Sequence, residues 1–219
     1  MEQTDFLKDC ETYGQEIIEA AQDIIVIFGN VAIDWKRKNK DGLVRKYDAA
    51  FTAQNGTLIS AAPGFDFVAK TVLPACHQCD TPRYFSGQER LLKDKRTSLK
   101  NGWGSVAVTV QGKEYKLGLL LCEDGLTDNG TDNVPSMLKK SGAEIICNLS
   151  SQPLPLEKTA SGIYDSASRQ KNCSCRWCTA ITPESRTQAK TFTPLTDKAA
   201  FTDPMAWSRR QRPCLKKNC

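Results

Sequence analysis

Leu117-Gly118-Leu119-Leu120-Leu121 is an apolar run without polar alternation, and a strand of that kind is stable only when both of its faces are covered. Ile24-Ile25-Val26-Ile27-Phe28 and Glu144-Ile145-Ile146-Cys147-Asn148-Leu149 read the same way. The first of these is ended, in this reading, by Gly29-Asn30. Covering layers are available. Phe6, Cys10, Ile17 and Ala21 fall at helical spacing and predict a helix over Phe6 to Ala21. A shorter helix is expected over Val134 to Lys140, stopped by Ser141-Gly142. Asn55-Gly56, between Ala49–Gln54 and Thr57–Ile59, is a strong two-residue hairpin signal. Gln111-Gly112 marks a second hairpin, joining Val106–Val110 to Tyr115–Leu121. Strands alternating with helices and hairpins predict a mixed α/β domain.

Composition narrows the class. The chain has 219 residues, 40% hydrophobic and 25% charged, enough for one domain or two small ones. No apolar run is long enough to span a bilayer, and Met1 is followed by a polar, acidic stretch. A cytoplasmic protein without disulfides is the expectation, and a membrane partner is not expected. Charge is uneven. Residues 1–153 hold 18 Lys/Arg against 20 Asp/Glu, whereas residues 154–219 hold 12 against 5. After Pro155 the periodicity fades, and composition predicts a disordered tail. That tail holds five of the ten cysteines, and Cys173-x-Cys175-x-x-Cys178 together with Cys76-His77-x-Cys79 has the residue types of a zinc site. A basic, cysteine-rich zinc or nucleic-acid-binding protein is therefore one reading of the chain.

Two stretches carry chemistry. Cys122 follows the Leu117–Leu121 run in Cys122-Glu123-Asp124-Gly125, just past the C-terminal end of a buried strand, where open α/β sheets place ligands. A thiolate there is a nucleophile once a base or cation activates it. Lys70 opens Lys70-Thr71-Val72-Leu73-Pro74, and a lysine beside a reacting carbonyl stabilises an oxyanion and lowers a neighbouring thiol's pKa. Taken singly, Cys122 also fits a buried apolar strand residue and Lys70 a surface lysine.

In combination and in order, these stretches resemble the nitrilase, or carbon–nitrogen hydrolase, superfamily, in particular the glutaminase domain of glutamine-dependent NAD synthetases. The resemblance runs from Phe28-Gly29-Asn30 through Val44–Phe51, Gln54-Asn55-Gly56, Lys70–Pro74, Arg83-Tyr84-Phe85 and Leu117–Gly125 to Gly142-Ala143-Glu144 and Asn148–Ser151. It implies a four-layer αββα sandwich, here partial, over residues 1–153. It implies a Glu-Lys-Cys triad in which Lys70 is the lysine and Cys122 the nucleophile, with Glu123 helping to hold the substrate glutamine. The small-molecule amide would be hydrolysed and its ammonia passed to an ATP- and Mg-dependent synthetase domain in a homo-oligomeric parent. The amidase domain itself needs no cofactor and no metal. The family's general-base glutamate lies in a Phe-Pro-Glu segment one strand before the first helix. No such segment occurs here, so the resemblance implies an N-terminally truncated and crippled enzyme. Ala75-Cys76 replaces the family's Asn-Tyr, and Cys79 replaces its phenylalanine, which leaves room for another amide substrate and a stand-alone hydrolase.

The tail makes sense when its codons are read one base out of frame. Thr182 to Pro204 then permits T-G-V-Q-N-P-G-K-D-I-Y-T-F-D-G-Q-S-C-V-Y-R-P-D, which resembles the family's continuation beyond the asparagine-leucine-serine strand. A frame change near codons 152–156 is the expectation, with residues 154–219 a non-native tail whose cysteines and charge are accidents of coding. The genomic bases there decide it.

Overall fold

The computed structural model describes residues 3–73, 75–76, 79–96, 104–125, 133–153, 176–184 and 198–201. The chain opens with helix α1 (Thr4–Ala20) and then strands β1 (Ile25–Lys38), β2 (Val44–Gln54), β3 (Thr57–Leu58) and β4 (Val68–Ala69). A two-residue ladder, β5 (Ala75–Cys76) with β6 (Cys79–Asp80), leads into short helix α2 (Thr81–Tyr84) and helix α3 (Gln88–Lys95). Next come β7 (Ser105–Val110), β8 (Lys113–Leu121), a 3₁₀ turn (Cys122–Gly125), α4 (Val134–Lys140), β9 (Ile145–Pro153), β10 (Arg176–Glu184) and β11 (Lys198–Phe201).

These strands make two main sheets. In the first, β1, β2 and β3 lie in that order, with β4 also on β2, and every pairing is antiparallel. The second has the order β11-β10-β9-β8-β7 and is mixed, with β8, β9 and β10 parallel and the two outer pairings antiparallel. Both expected hairpins form. Asn55 and Gly56 adopt φ of 52° and 73°, and Gln111 and Gly112 adopt 50° and 76°, the left-handed pair that matches strand twist.

Side-chain alternation sorts the layers. On β8, Leu117, Leu119 and Leu121 face inward and pack with Val106, Val108, Ala50 and Val68 between the sheets. Leu120 points the other way, onto Leu138 of α4, with Ala143 and Ile146. On the outer face of the first sheet, Ala53 meets Ile18 and Ala21 from the α1 end, while Ala49 and Tyr47 meet Leu91 and Leu92 of α3. The result is helix, sheet, sheet, helix: the four-layer α/β sandwich that the unalternated run on β8 requires.

The sequence reading of β1 needs correction. Gly29-Asn30 does not end it; Gly29 lies opposite Ala50 and Asn30 opposite Ala49, and pairing runs on to Lys38. Asn30 instead ties the strand to α1, its amide donating to the Cys10 carbonyl at 2.7 Å, against Gly14. Within 154–219, where no structure was expected, β10 lies parallel to β9 from Arg176 opposite Ile145 to Glu184 opposite Pro153. The open edge of β9 supplies the hydrogen-bonding groups and the Trp177–Ile181 run the strand propensity. The remainder of that segment lies outside the described residues.

Leu138 is wholly buried, and its side chain closes on Gly104 and Gly118. Leu138→Ala is expected to destabilise the fold by about 2–5 kcal/mol in urea unfolding, the usual cost of such a cavity. A loss below about 1 kcal/mol would mean that α4 is not a layer of the core.

Candidate active site

Cys122 sits where β8 stops being a strand. Leu121 is the last residue paired to β9, opposite Leu149, and the chain then turns into the 3₁₀ segment with Cys122 at φ 49°. A non-glycine residue in the left-handed region is strained, and the surrounding structure holds it there. The turn lifts the thiol out of the strand's in–out alternation. Parallel pairing of β8 with β9 brings Ser150 beside it, and the Ser150 hydroxyl donates to Cys122 Sγ at 3.3 Å.

Lys70 arrives from the other sheet. Ala49 pairs with Ala69, and the next residue, Lys70, donates its backbone N–H to the Asp48 carbonyl at 2.8 Å. Its own carbonyl accepts from the Gln88 N–H at 3.0 Å, so both sides of its backbone are fixed. The Lys70 side chain is 7% exposed, and its ammonium lies 2.5 Å from Glu123 Oε2 and 3.8 Å from Asp48 Oδ2. Lysine is rarely buried unless paired, and here two carboxylates bracket it.

Asp124 joins the two halves of the site. Its carboxylate, 2% exposed, accepts from the backbone N–H groups of Thr71 at 3.0 Å and Val72 at 2.7 Å. The Cys122 turn is thereby fastened to the residues that follow Lys70. Thr71 completes the link, its hydroxyl donating to Gln88 Oε1 at 2.6 Å.

The electrostatics follow from this crowding. Burial opposes the charge of Lys70, but hydrogen bonding and attraction to Glu123 outweigh burial and lift its pKa above the ordinary ammonium value. Burial likewise opposes ionisation of Glu123, and the bond to Lys70 reverses that and holds it low. Burial pushes the Cys122 thiol up, with a further push from Glu123 and partial relief from Ser150 and Lys70. Asp48 is raised, chiefly by burial. Burial raises Asp124 to about 6, against the pull of its backbone N–H donors.

All three residues singled out by sequence thus meet in one cluster: Lys70 bonds Glu123, and Glu123 and Lys70 both act on the Cys122 thiol. Sequence reasoning assigned no part to Asp48, Asp124 or Ser150. Ser150 is found only through the register of β8 and β9, and Asp48 only through its cross-strand neighbour. The position of Asp124 two residues after Cys122 was the one local signal. His77, Cys173 and Cys175 lie outside the described residues, as do the side chains of Cys76, Cys79 and Cys178. Among the described residues, no three His, Cys, Asp or Glu side chains gather to hold a metal, and no helix is long and apolar enough to cross a membrane.

This arrangement, a thiol on a strained turn at the end of one sheet and a lysine–carboxylate pair carried by the other, sits in a fold shared with carbon–nitrogen hydrolases. The glutamine-dependent NAD+ synthetase from Acinetobacter baumannii in complex with ADP matches at TM-score 0.55 and 19% identity, over 81% of this chain and 28% of that one. The glutamine-dependent NAD(+) synthetase from Cytophaga hutchinsonii matches at 0.53 and 15%, over 82% and 26%. The carbon-nitrogen hydrolase from Helicobacter pylori G27 matches at 0.54 and 14%, over 83% and 55%. The chain therefore spans about a quarter of the two synthetases and about half of the hydrolase. No protein-family model and no curated protein matches the sequence. The class these structures define is the nitrilase-type αββα fold.

Because Asp124 is protonated more readily in the folded chain than the ordinary value of 3.8, its proton favours folding. Its stabilising effect is complete below about pH 4 and is lost as pH rises through about 6. Relative to Asp124→Asn, wild-type stability from denaturant titration should fall by up to about 3 kcal/mol between pH 4 and pH 7. A difference that stays flat, or that grows in favour of the wild type, would contradict the burial of this carboxyl.

Proposed function

We propose that this chain carries an amide-hydrolysing site of the carbon–nitrogen hydrolase type, with Cys122 as nucleophile and Lys70 as the cation that steadies the developing oxyanion. The observation that carries this reading is the Cys122 thiol on its strained turn beside an ammonium that is 7% exposed and held 2.5 Å from Glu123. In the proposed reaction the thiolate attacks the amide carbon and negative charge passes to the amide oxygen. Lys70 and a backbone N–H stabilise that charge, ammonia departs, and water hydrolyses the resulting thioester. This chemistry requires no cofactor.

The substrate in this proposal is glutamine, and Glu123 is, on the resemblance alone, a contact for it. The ammonia then serves ATP-dependent amidation of nicotinic acid adenine dinucleotide by a synthetase domain of a homo-oligomeric, cytoplasmic parent. The frame change after about residue 153 belongs to the same proposal. A stand-alone hydrolase of another amide is the second reading. It is favoured by the Helicobacter pylori enzyme, which fits as well as the synthetases and is covered over about twice the share of its length.

A diazoketone analogue of glutamine tests nucleophile and substrate without requiring turnover. It should label Cys122 in preference to the other cysteines, L-glutamine should slow the labelling, and Cys122→Ala should abolish it. Cys122 labelling that glutamine does not slow would favour the stand-alone hydrolase. Labelling spread evenly over the cysteines would overturn the assignment of Cys122.

A further inference from the structure

Asp48 meets Lys70 through both its backbone and its side chain. On one side Asp48 lies opposite Val31 of β1. On the other, β2 pairs with β4 at Ala49–Ala69 and Ala50–Val68. That register, carried one residue on, sets Asp48 opposite Lys70, and the Lys70 N–H donates to the Asp48 carbonyl at 2.8 Å. Opposed residues of an antiparallel pair share a face, with Cβ atoms about 4.5–5.5 Å apart. Ala50 and Val68 pack between the sheets, and Asp48 and Lys70, each two residues from them, fall on that same inner face. The Asp48 carboxylate stands 3.8 Å from the Lys70 ammonium, an ion pair made within the first sheet. Glu123 reaches the same ammonium at 2.5 Å from the 3₁₀ turn that follows β8.

We propose that Asp48 is a positioning residue of the amidase site, the carboxylate that keeps the Lys70 ammonium charged and in place while Glu123 and the developing oxyanion share it. The inference rests on Cys122 and Lys70 acting as proposed above. A lysine that steadies an oxyanion needs a proton and a fixed location. Its ammonium has three N–H donors. At rest one serves Glu123, and as negative charge builds on the substrate oxygen another turns to that oxygen. Asp48 takes no part in this exchange. Its backbone is held between neighbours on both sides. At 3.8 Å its carboxylate lies beyond hydrogen-bond contact yet well within the range over which opposite charges act.

The charges around Lys70 fit this division. Among the described residues, the titratable groups facing it are Asp48 on β2 and Cys122, Glu123 and Asp124 in the turn after β8. Burial works against the ammonium, and Glu123, then Asp48, then Cys122 offset it. Asp124 is committed to the backbone N–H groups of Thr71 and Val72. The neighbours that act on the thiol itself are Ser150, Glu123 and Lys70. Removing the Asp48 charge therefore strikes the lysine first and leaves the turn that carries Cys122 in place.

The test is the pH profile of the p-nitrophenolate burst when the whole chain is mixed with p-nitrophenyl acetate in a stopped-flow instrument. The burst reports acylation, which rises as Cys122 ionises and falls as Lys70 loses its proton. An opposite charge within about 4–6 Å moves a pKa by about 1–3. Asp48→Asn keeps the backbone bond and the shape of the side chain. It should move the alkaline limb down by about one pH unit or more and slow the burst about tenfold above that limb, with Asp48→Glu restoring part of both. Alkylation of Cys122 by iodoacetamide at pH 8 uses no oxyanion support and should stay within about twofold of wild type in Asp48→Asn. An alkaline limb that stays put, or an acid limb that moves in its place, overturns the positioning role and leaves the nucleophile standing. Alkylation that changes along with the burst marks Asp48 as a support of the fold and overturns the role as well. A burst that survives Cys122→Ala, or no burst from wild type, overturns the proposed function itself.

Discussion

The site depends on one buried carboxylate. Asp124 receives the N–H groups of Thr71 and Val72 and so fastens a turn at the end of one sheet to the segment that follows β4 in the other. Each half is positioned within its own sheet: Cys122 by the β8–β9 register, Lys70 by the β2–β4 pairing. Beside this link, the halves meet through the Lys70–Glu123 ion pair and the apolar filling between the sheets. Hydrogen bonds to a charged acceptor are stronger and more directional than neutral ones. That is the property needed to hold a thiol and an ammonium in register.

Charge explains why the cluster is stable at rest. A buried ammonium is costly in isolation, and Lys70 is tolerated because Glu123 and Asp48 sit on two sides of it. Burial pushes the Cys122 thiol up and Glu123 adds to the push, so the resting cluster favours protonated sulfur.

Much of the fold was legible because its signals are local. Asn55-Gly56 and Gln111-Gly112 each mark a turn that folds as a left-handed pair, and Ser141-Gly142 marks the end of α4. Unalternated Leu117–Leu121 foretold two covered faces. The length of β1 was not legible, because a Gly-Asn pair that looks like a turn is, in register opposite Ala49 and Ala50, an ordinary part of a ladder. The strand at Arg176–Glu184 was hidden for a related reason: a segment of mixed composition can pair when an open edge offers it a partner. In the site, Lys70 and Cys122 were visible through their flanking motifs. Ser150 and Asp48 were not, since each is brought in by pairing between strands distant in sequence, and the reach of Glu123 to lysine depends on the shape of the turn.

The central claim is that Lys70, Glu123 and Cys122 form one electrostatic unit. The most direct measurement is the pH dependence of Cys122 alkylation by iodoacetamide, followed peptide by peptide by mass spectrometry. The expected inflection lies above that of an ordinary thiol, moving lower in Glu123→Gln and higher in Lys70→Met. An inflection at the ordinary value that neither substitution moves would contradict it.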